Sequence, residues 1–333
     1  MPAGTLPWRL TTGGLLTIER VMDEVGRVLG LDPAEVRRRN LVRADGFPYT
    51  SVTGLLYDSG SFGDSIEQVC EDADYEGMRR QQSRARGEGR LLGIGLSCFT
   101  EQTAHTTTKF IKRGVPIIFG YEAATVSMDP SGTVLVQIST HSHGQGQETT
   151  MAQIAADRLS LPLGDVRVTF GDTSSTPYGM GTFASRAAVL TGGACHPAAA
   201  RLGDMLLRFG AHVLEADAAD VELVGGSVAP KGAPERAVEI RDLARWAYHR
   251  PEKLPQGMEP VLQAVSSYDA DPGTGTFTNP AQIALIELDA NTGGIEILRY
   301  VVVEDCGRII NPLIVDGQVQ GGVVQGIGGA ILE

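Results

Sequence analysis

The sequence predicts an α+β fold of mixed helices and antiparallel hairpins. Three observations predict it. Up to Arg90 the apolar residues recur at helical spacing, and beyond it the pattern changes to strands. Turn signals at Asp129-Pro130-Ser131-Gly132, Gly225-Gly226 and Asn291-Thr292-Gly293-Gly294 each sit between short apolar runs, as hairpins require. Strands and helices also mix without the strict β-α-β alternation of a doubly wound sheet.

In chain order, Ile18, Val21, Met22, Val25, Val28 and Leu29 mark a helix over Leu15 to Leu29 with one buried face, stopped at Gly30. Asp32, Pro33 and Glu35 read as N-cap, first-turn proline and capping-box acid of a short helix ending near Leu41. Gly46 to Gly60 is loop. Asp64 or Ser65 caps a third helix to about Asp74, which the basic run Glu76 to Arg86 either continues or follows. The Gly87–Gly89 break divides a helical part, residues 1–89, from residues 90–333. Strands are expected at Leu91 to Phe99, Glu122 to Ser127, Thr133 to Ser139 and Val166 to Phe170, with a helix from Thr149 to Leu161 between the last two. A small-residue helix follows from about Ser185 to Leu214, then a hairpin over Val221 to Val228, a helix over Leu243 to His249 and a Pro-rich linker to Pro260. The last hairpin pairs Ile283 to Leu288 with Ile295 to Val303, and a Gly-rich helix from Pro312 is still apolar at Glu333, so uncovered apolar surface is expected there.

Composition narrows the function. With 333 residues, 42% hydrophobic and 20% charged, the chain has the make-up of about two globular domains. A net charge of −12 argues against nucleic acid as a partner, because phosphate binding rests on basic surfaces. The arginine-dense run Met78 to Arg90 reads as a solvated helix face. Cys70, Cys98, Cys195 and Cys306 are scattered without C-x-x-C spacing, so no iron–sulfur or structural zinc site is expected in this chain. No apolar run approaches the ~20 residues of a membrane span, and a cytoplasmic location is expected.

Three stretches carry chemistry. In HSHGQGQETT, His141 to Thr150, a glycine-bracketed turn joins a strand to a helix, a place where bare N–H groups can meet an anion. PYGMGTFASR, Pro177 to Arg186, and EDCGRIINPLIVDGQVQGGVVQGIG, Glu304 to Gly328, likewise pair glycines with amides and hydroxyls. That combination suits a large polar heterocycle with a phosphate tail. His141 and His143 find no third metal ligand at compatible spacing. Thr182, Ser185 and Arg186 are either a helix cap or ligand contacts, and the helix bearing Gln318 and Gln325 either packs closely or meets a ligand. Glu101 and Asp172 read as structural acids.

Together these stretches resemble the molybdenum-cofactor-binding large subunit of the xanthine dehydrogenase, aldehyde oxidase and carbon monoxide dehydrogenase family. The resemblance extends to I-E-R-x-M-D-E in the first helix, R-R-R-N-L ending the second, F-P-Y-T and Y-D-S-G in the loop, E-Q-T-A-H at Glu101 to His105 and G-D-T-S-S-T-P-Y-G at Gly171 to Gly179. It implies partial molybdopterin-binding domains, with residues 1–89 continuing one and 90–333 forming an incomplete second. It implies a molybdenum-pterin (molybdopterin or its cytosine dinucleotide form), held by its own dithiolene and contacted by Gln145, Gly146, Gln147, Gly181, Thr182, Ser185 and Gln318, with Arg186 on phosphate. The activity implied is hydroxylation of an aldehyde, N-heterocycle or similar molecule with water as oxygen source, assisted by a glutamate base. FAD and [2Fe-2S] are expected on a medium and a small partner subunit. The family's glutamate segment and its Gly-Phe loop are expected outside these residues, on a separate chain if the large subunit is split, and Glu333 lacks that context. Met1 to Gly14 depart from the family's Y-R-G-x-G-R-P-E pattern, which leaves Arg9 a weak candidate for positioning substrate. A catalytically inactive fragment or scaffold keeping the fold is the alternative.

Overall fold

The computed structural model describes residues 7–112, 114–115, 118–270 and 275–332, with residues 7–13 described as backbone only. Residues 1–6, the Arg9 side chain and Glu333, on which some sequence expectations fall, lie outside the described residues. In chain order come α1 (Pro7–Leu29), α2 (Pro33–Asn40), β1 (Tyr49–Thr50), β2 (Leu56–Tyr57), α3 (Phe62–Asp72), α4 (Tyr75–Gly87), β3 (Leu91–Cys98), β4 (Glu101–Thr103) and α5 (Thr107–Lys112). Next are β5 (Glu122–Met128), β6 (Val134–Ile138), α6 (Gln147–Leu159), β7 (Val166–Thr169) and α7 (Gly192–Val213). Then follow β8 (Val221–Val224), β9 (Ser227–Pro230), β10 (Val238–Glu239), α8 (Ile240–His249), β11 (Gln263–Tyr268), β12 (Thr276–Leu288), β13 (Ile295–Asp305) and α9 (Pro312–Ile331). The chain folds into two compact units that interleave in sequence, Met1–Gln102 with Phe277–Arg308, and Thr103–Thr276 with Ile309–Glu333.

In the first unit, α3 and α4 cover the antiparallel sheet β13-β12-β3, and Ile66, Val69, Tyr75, Met78, Leu96, Ile283 and Leu285 form the core. Asp32 caps α2 as expected, accepting Ala34 N–H at 2.8 Å, whereas Glu35 takes Arg39 at 2.7 Å instead of closing a capping box. A left-handed Asp74 (φ +49), whose carboxylate accepts Gly77 N–H, breaks α3 from α4. The third helix starts earlier than Asp64, with Ser61 at the N-cap position, and the Ser61 hydroxyl makes no capping bond because it donates to Asp305 at 2.6 Å. The aromatic residues of F-P-Y-T and Y-D-S-G stack there, Phe47 on Phe62 at 5.7 Å and Tyr57 edge-on to Phe277 at 4.7 Å.

Helix α1 corrects an expectation. Ile18, Val21, Val25, Val28 and Leu29, expected to be buried, are exposed. The opposite edge of α1 faces α2: Glu19 and Asp23 converge on the Arg37 guanidinium, which is 3% exposed, with Asp23 at 3.0 Å, and a Cβ on Gly26 would stand 3.3 Å from Val36. Burial opposes the charge of Arg37, but its bonds to Glu19 and Asp23 outweigh that and hold its pKa above the ordinary value. The I-E-R-x-M-D-E and R-R-R-N-L motifs therefore meet as one charge cluster.

The second unit is built on the sheet β11-β5-β6-β7, backed by α6 and α7. Asp129 fixes the β5–β6 hairpin by accepting Ser131 N–H at 2.8 Å and Thr133 N–H at 3.2 Å. The β8–β9 hairpin turns at Gly225 and Gly226, both left-handed, as expected. Strands β6 and β7 pair in parallel through α6, in keeping with the helix expected between them, whereas β11, whose Q-A-V-S-S-Y carries too weak an alternation to announce it, adds an unexpected edge strand on β5. Short α5 was likewise unannounced, and within the expected linker Leu254 and Met258 pack on the core. On α7, Leu202, Leu206 and Phe209 are fully buried, each worth about 1.5–3 kcal/mol of transfer free energy. Its expected start is displaced, since Ala184 and Ser185 are left-handed (φ +50 and +51) and a π-turn over Ala187–Thr191 precedes the regular helix.

Candidate cofactor-binding site

Strand β6 delivers the chain to a turn over residues 139–146 whose foundations are buried. Thr140 and Gln147 are 0% and 3% exposed, and Thr140 Oγ1 donates to Gln147 Oε1 at 2.7 Å while accepting Thr191 Oγ1 at 3.0 Å. Gln147 Nε2 donates to Thr182 Oγ1 at 3.1 Å. Thr182 Oγ1 in turn donates to His141 C=O at 2.7 Å and accepts His141 N–H at 3.0 Å. One hydroxyl thus laces HSHGQGQETT to PYGMGTFASR. The carboxamide of Gln147 is spent inside the protein, and that of Gln145, half-buried, accepts His143 N–H at 2.8 Å.

The second loop rests on a residue outside the three motif stretches. Glu122, wholly buried at the head of β5, accepts Met180 N–H at 3.1 Å and Gly181 N–H at 3.0 Å and pairs with Arg186. Arg186, 1% exposed, also donates to Gly181 C=O at 3.0 Å and Gly120 C=O at 2.7 Å. Burial pulls the Arg186 pKa below its ordinary value, against the opposing pull of Glu122. The structure therefore places Arg186 on an internal carboxylate. Ser185 is exposed at the left-handed turn before it. The signal for Glu122 was a lone acid opening an otherwise apolar strand, and its partner lies 64 positions away.

The third stretch reaches the same turn by packing. Asn311 caps α9, accepting Ile314 N–H at 3.1 Å, and donates through Nδ2 to Gln153 on α6 at 3.0 Å. A Cβ at Gly146, the left-handed cap of α6 (φ +71), would stand 2.6 Å from Ile314 Cδ1. Gly146 is therefore needed for this approach whether or not a ligand is present. Gln318 is exposed one turn beyond Ile314 on the same face, and nothing lies within 4 Å of a Cβ built at Gly321, Gly322, Gly326 or Gly328. Among the described residues those glycines serve no close helix packing. His141 packs edge-on against Phe170 at 5.2 Å.

What the arrangement can hold follows from what it leaves free. Gly144 and Gly181 are left-handed (φ +110 and +99), and among the described residues nothing lies within 4 Å of a Cβ built at either, so bare backbone edges two bracing loops. Around them stand the amides of Gln145 and Gln147 and the hydroxyl of Thr182, with the Glu122–Arg186 pair beneath Gly181. Arg186 Nε is the buried side-chain polar atom left without a hydrogen-bond partner among the described residues, and the guanidinium lies 4.8 Å from the Phe183 ring centroid. These features fit a polar fused-ring cofactor approached by backbone and amide groups.

The class of protein this defines, a binder of a large polar cofactor, agrees with its relatives. The family described as molybdopterin cofactor-binding domain matches residues 68–333. The chain belongs to this family of molybdenum-cofactor-binding large subunits, and it is 39% identical over 322 residues to the nicotine 6-hydroxylase large subunit of Paenarthrobacter nicotinovorans, covering 97% of this chain and 39% of that protein. With the carbon monoxide dehydrogenase large chain of Hydrogenophaga pseudoflava it shares 34% identity, covering 95% of this chain and 39% of that one. Among solved structures, quinoline 2-oxidoreductase from Pseudomonas putida 86 superposes with a TM-score of 0.88 at 37% identity, covering 95% of this chain and 40% of that one. The chain thus spans about two fifths of the length of these relatives. Among the described residues no helix is long and apolar enough to cross a membrane.

Proposed function

We propose that this chain is the cofactor-gripping part of a cytoplasmic molybdenum-pterin hydroxylase that oxidises an N-heterocycle, taking oxygen from water and passing electrons to partner subunits that carry [2Fe-2S] and FAD. The observation that carries the reading is the Thr182 hydroxyl, which ties two glycine turns into one cradle open at Gly144 and Gly181. The heterocycle is favoured over carbon monoxide because identity to the nicotine hydroxylase is 39%, against 34% to the carbon monoxide dehydrogenase.

In this reading the cofactor, when bound, supplies a metal centre able to take two electrons from substrate. The chain supplies position. Backbone at Gly144 and Gly181 admits the ring system closely, Gln145 and Gln318 offer amide donors and acceptors to its edges, and Gln147 and Thr182 hold the two turns at fixed separation without touching substrate. Residues 1–89 are read as continuing one cofactor domain of the large subunit and residues 90–333 as part of a second. The exposed apolar face of α1 and the exposed α9 are read as surfaces covered by the remainder of that subunit.

The test is purification with the neighbouring subunits, followed by metal analysis, pterin fluorescence after oxidative release, and turnover of nicotine- and quinoline-type heterocycles with a dye acceptor in ¹⁸O-labelled water. Molybdenum and pterin near one per chain, with label in the product, are expected. A complex without pterin contradicts the cofactor reading, and label absent from the product contradicts the hydroxylase reading.

A further inference from the structure

We propose that Glu122 is a positioning residue for the cofactor-facing loop Pro177 to Arg186, acting through its ion pair with Arg186; this rests on the reading that the loop faces the pterin. The pair grips the loop on both backbone polarities. Glu122 receives the successive N–H groups of Met180 and Gly181, and Arg186 donates to the carbonyl of Gly181. Gly179 lies so close to the carboxylate and to Ser139 that a Cβ there would strike both. Among the described residues nothing lies within 4 Å of a Cβ built at Gly181. The pair therefore supports the loop from within the protein and leaves the other side for a ligand.

The grip extends into the unit. Arg186 donates to Gly120 C=O at 2.7 Å, Gly120 N–H donates to Thr107 Oγ1 at 2.7 Å, and Thr107 donates to the Asp269 carboxylate. Loop, strand β5, helix α5 and the chain after β11 are thereby fixed to one another.

The pair serves shape more than stability. A buried ion pair is weak evidence of stabilisation, because desolvation offsets most of the attraction, and fixing one conformation is the role it can fill. The conformation held here also needs fixing: Ala184 and Ser185 are consecutive left-handed non-glycine residues, and such a turn persists only where its surroundings over-determine it. Glu122 and Arg186 do so at its two ends.

The experiment uses the complex with its partner subunits and compares Glu122→Gln with the double variant Glu122→Gln/Arg186→Gln, which leaves no unpaired buried charge. Thermal stability, hydrogen exchange over residues 177–186 and pterin per chain are measured. The double variant is expected to regain the melting temperature lost by the single one, yet to keep a fast-exchanging loop and a pterin affinity reduced about 10- to 100-fold, the usual effect of losing a supporting partner. Wild-type loop protection and pterin content in the double variant overturn the proposal. Should Glu122→Gln fail to fold, the double variant decides alone. Should wild-type complex carry no pterin, the cofactor reading falls, and loop exchange in the double variant still upholds or overturns the clamp.

Discussion

Replacing Thr182 by valine removes one oxygen while keeping the β-branched shape. Three bonds vanish with it: the one donated to His141 C=O at 2.7 Å and those accepted from His141 N–H and Gln147 Nε2. The His141 groups are on an exposed residue and can turn to water, so their loss costs little. Gln147 is buried at 3% exposure, and its Nε2 keeps only His141 C=O at 3.4 Å. One poorly satisfied buried donor costs about 1–2 kcal/mol, within the range for such a loss. For a cooperative unit of this size that corresponds to a melting temperature lower by roughly 2–8 °C. Scanning calorimetry of the complex measures it, with Thr182→Ser, which keeps the hydroxyl, as the control. Pterin content should fall in the valine variant and hold in the serine one. An unchanged melting temperature and pterin content in Thr182→Val would refute the claim that this hydroxyl ties the two turns.

Other expectations follow from the same geometry. Gly146→Ala forces a side chain into left-handed backbone, at about 1–2 kcal/mol, and onto Ile314, so a double-mutant cycle with Ile314→Val should recover part of the loss in urea unfolding. Arg37→Met leaves Glu19 and Asp23 facing each other without their cation and should cost about 3 kcal/mol, the low end for a broken buried pair because both carboxylates reach some water; denaturant midpoints at neutral pH check it. Bonds from Ser61, Gly307 N–H and Asn279 hold the Asp305 carboxyl below its ordinary value of 3.8, with the Ser61 hydroxyl foremost. A depressed folded pKa stabilises above the unfolded value and is lost as pH falls through the folded one, so the stability gap between wild type and Ser61→Ala should be full at pH 6 and narrow below pH 3.8.

Local chemistry was legible in the sequence at several caps and turns. The Asp32 cap, the Asp129 turn and the paired glycines at 225 and 226 appear where expected, because each is decided within four residues. Decisions made by distant partners were not legible. Periodicity identified α1 as amphipathic, but which face turns inward was set by Arg37, 18 residues beyond Glu19. Strand β11 exists because β5 offers an edge, and its own residues alternate too weakly to show it. At the site, the motifs pointed to two loops that the structure joins through Thr182, expected there as a cofactor contact, while Arg186, expected at phosphate, pairs with Glu122 across 64 positions of chain. A charged residue in a glycine loop does not reveal which side of the loop it serves.

Hydrogen exchange on the purified complex, with and without its pterin, tests the central claim most directly. Binding should slow exchange over residues 141–147 and 177–186 together, with the β8–β9 hairpin unchanged. Protection of one loop without the other, or of neither, would contradict a shared cradle.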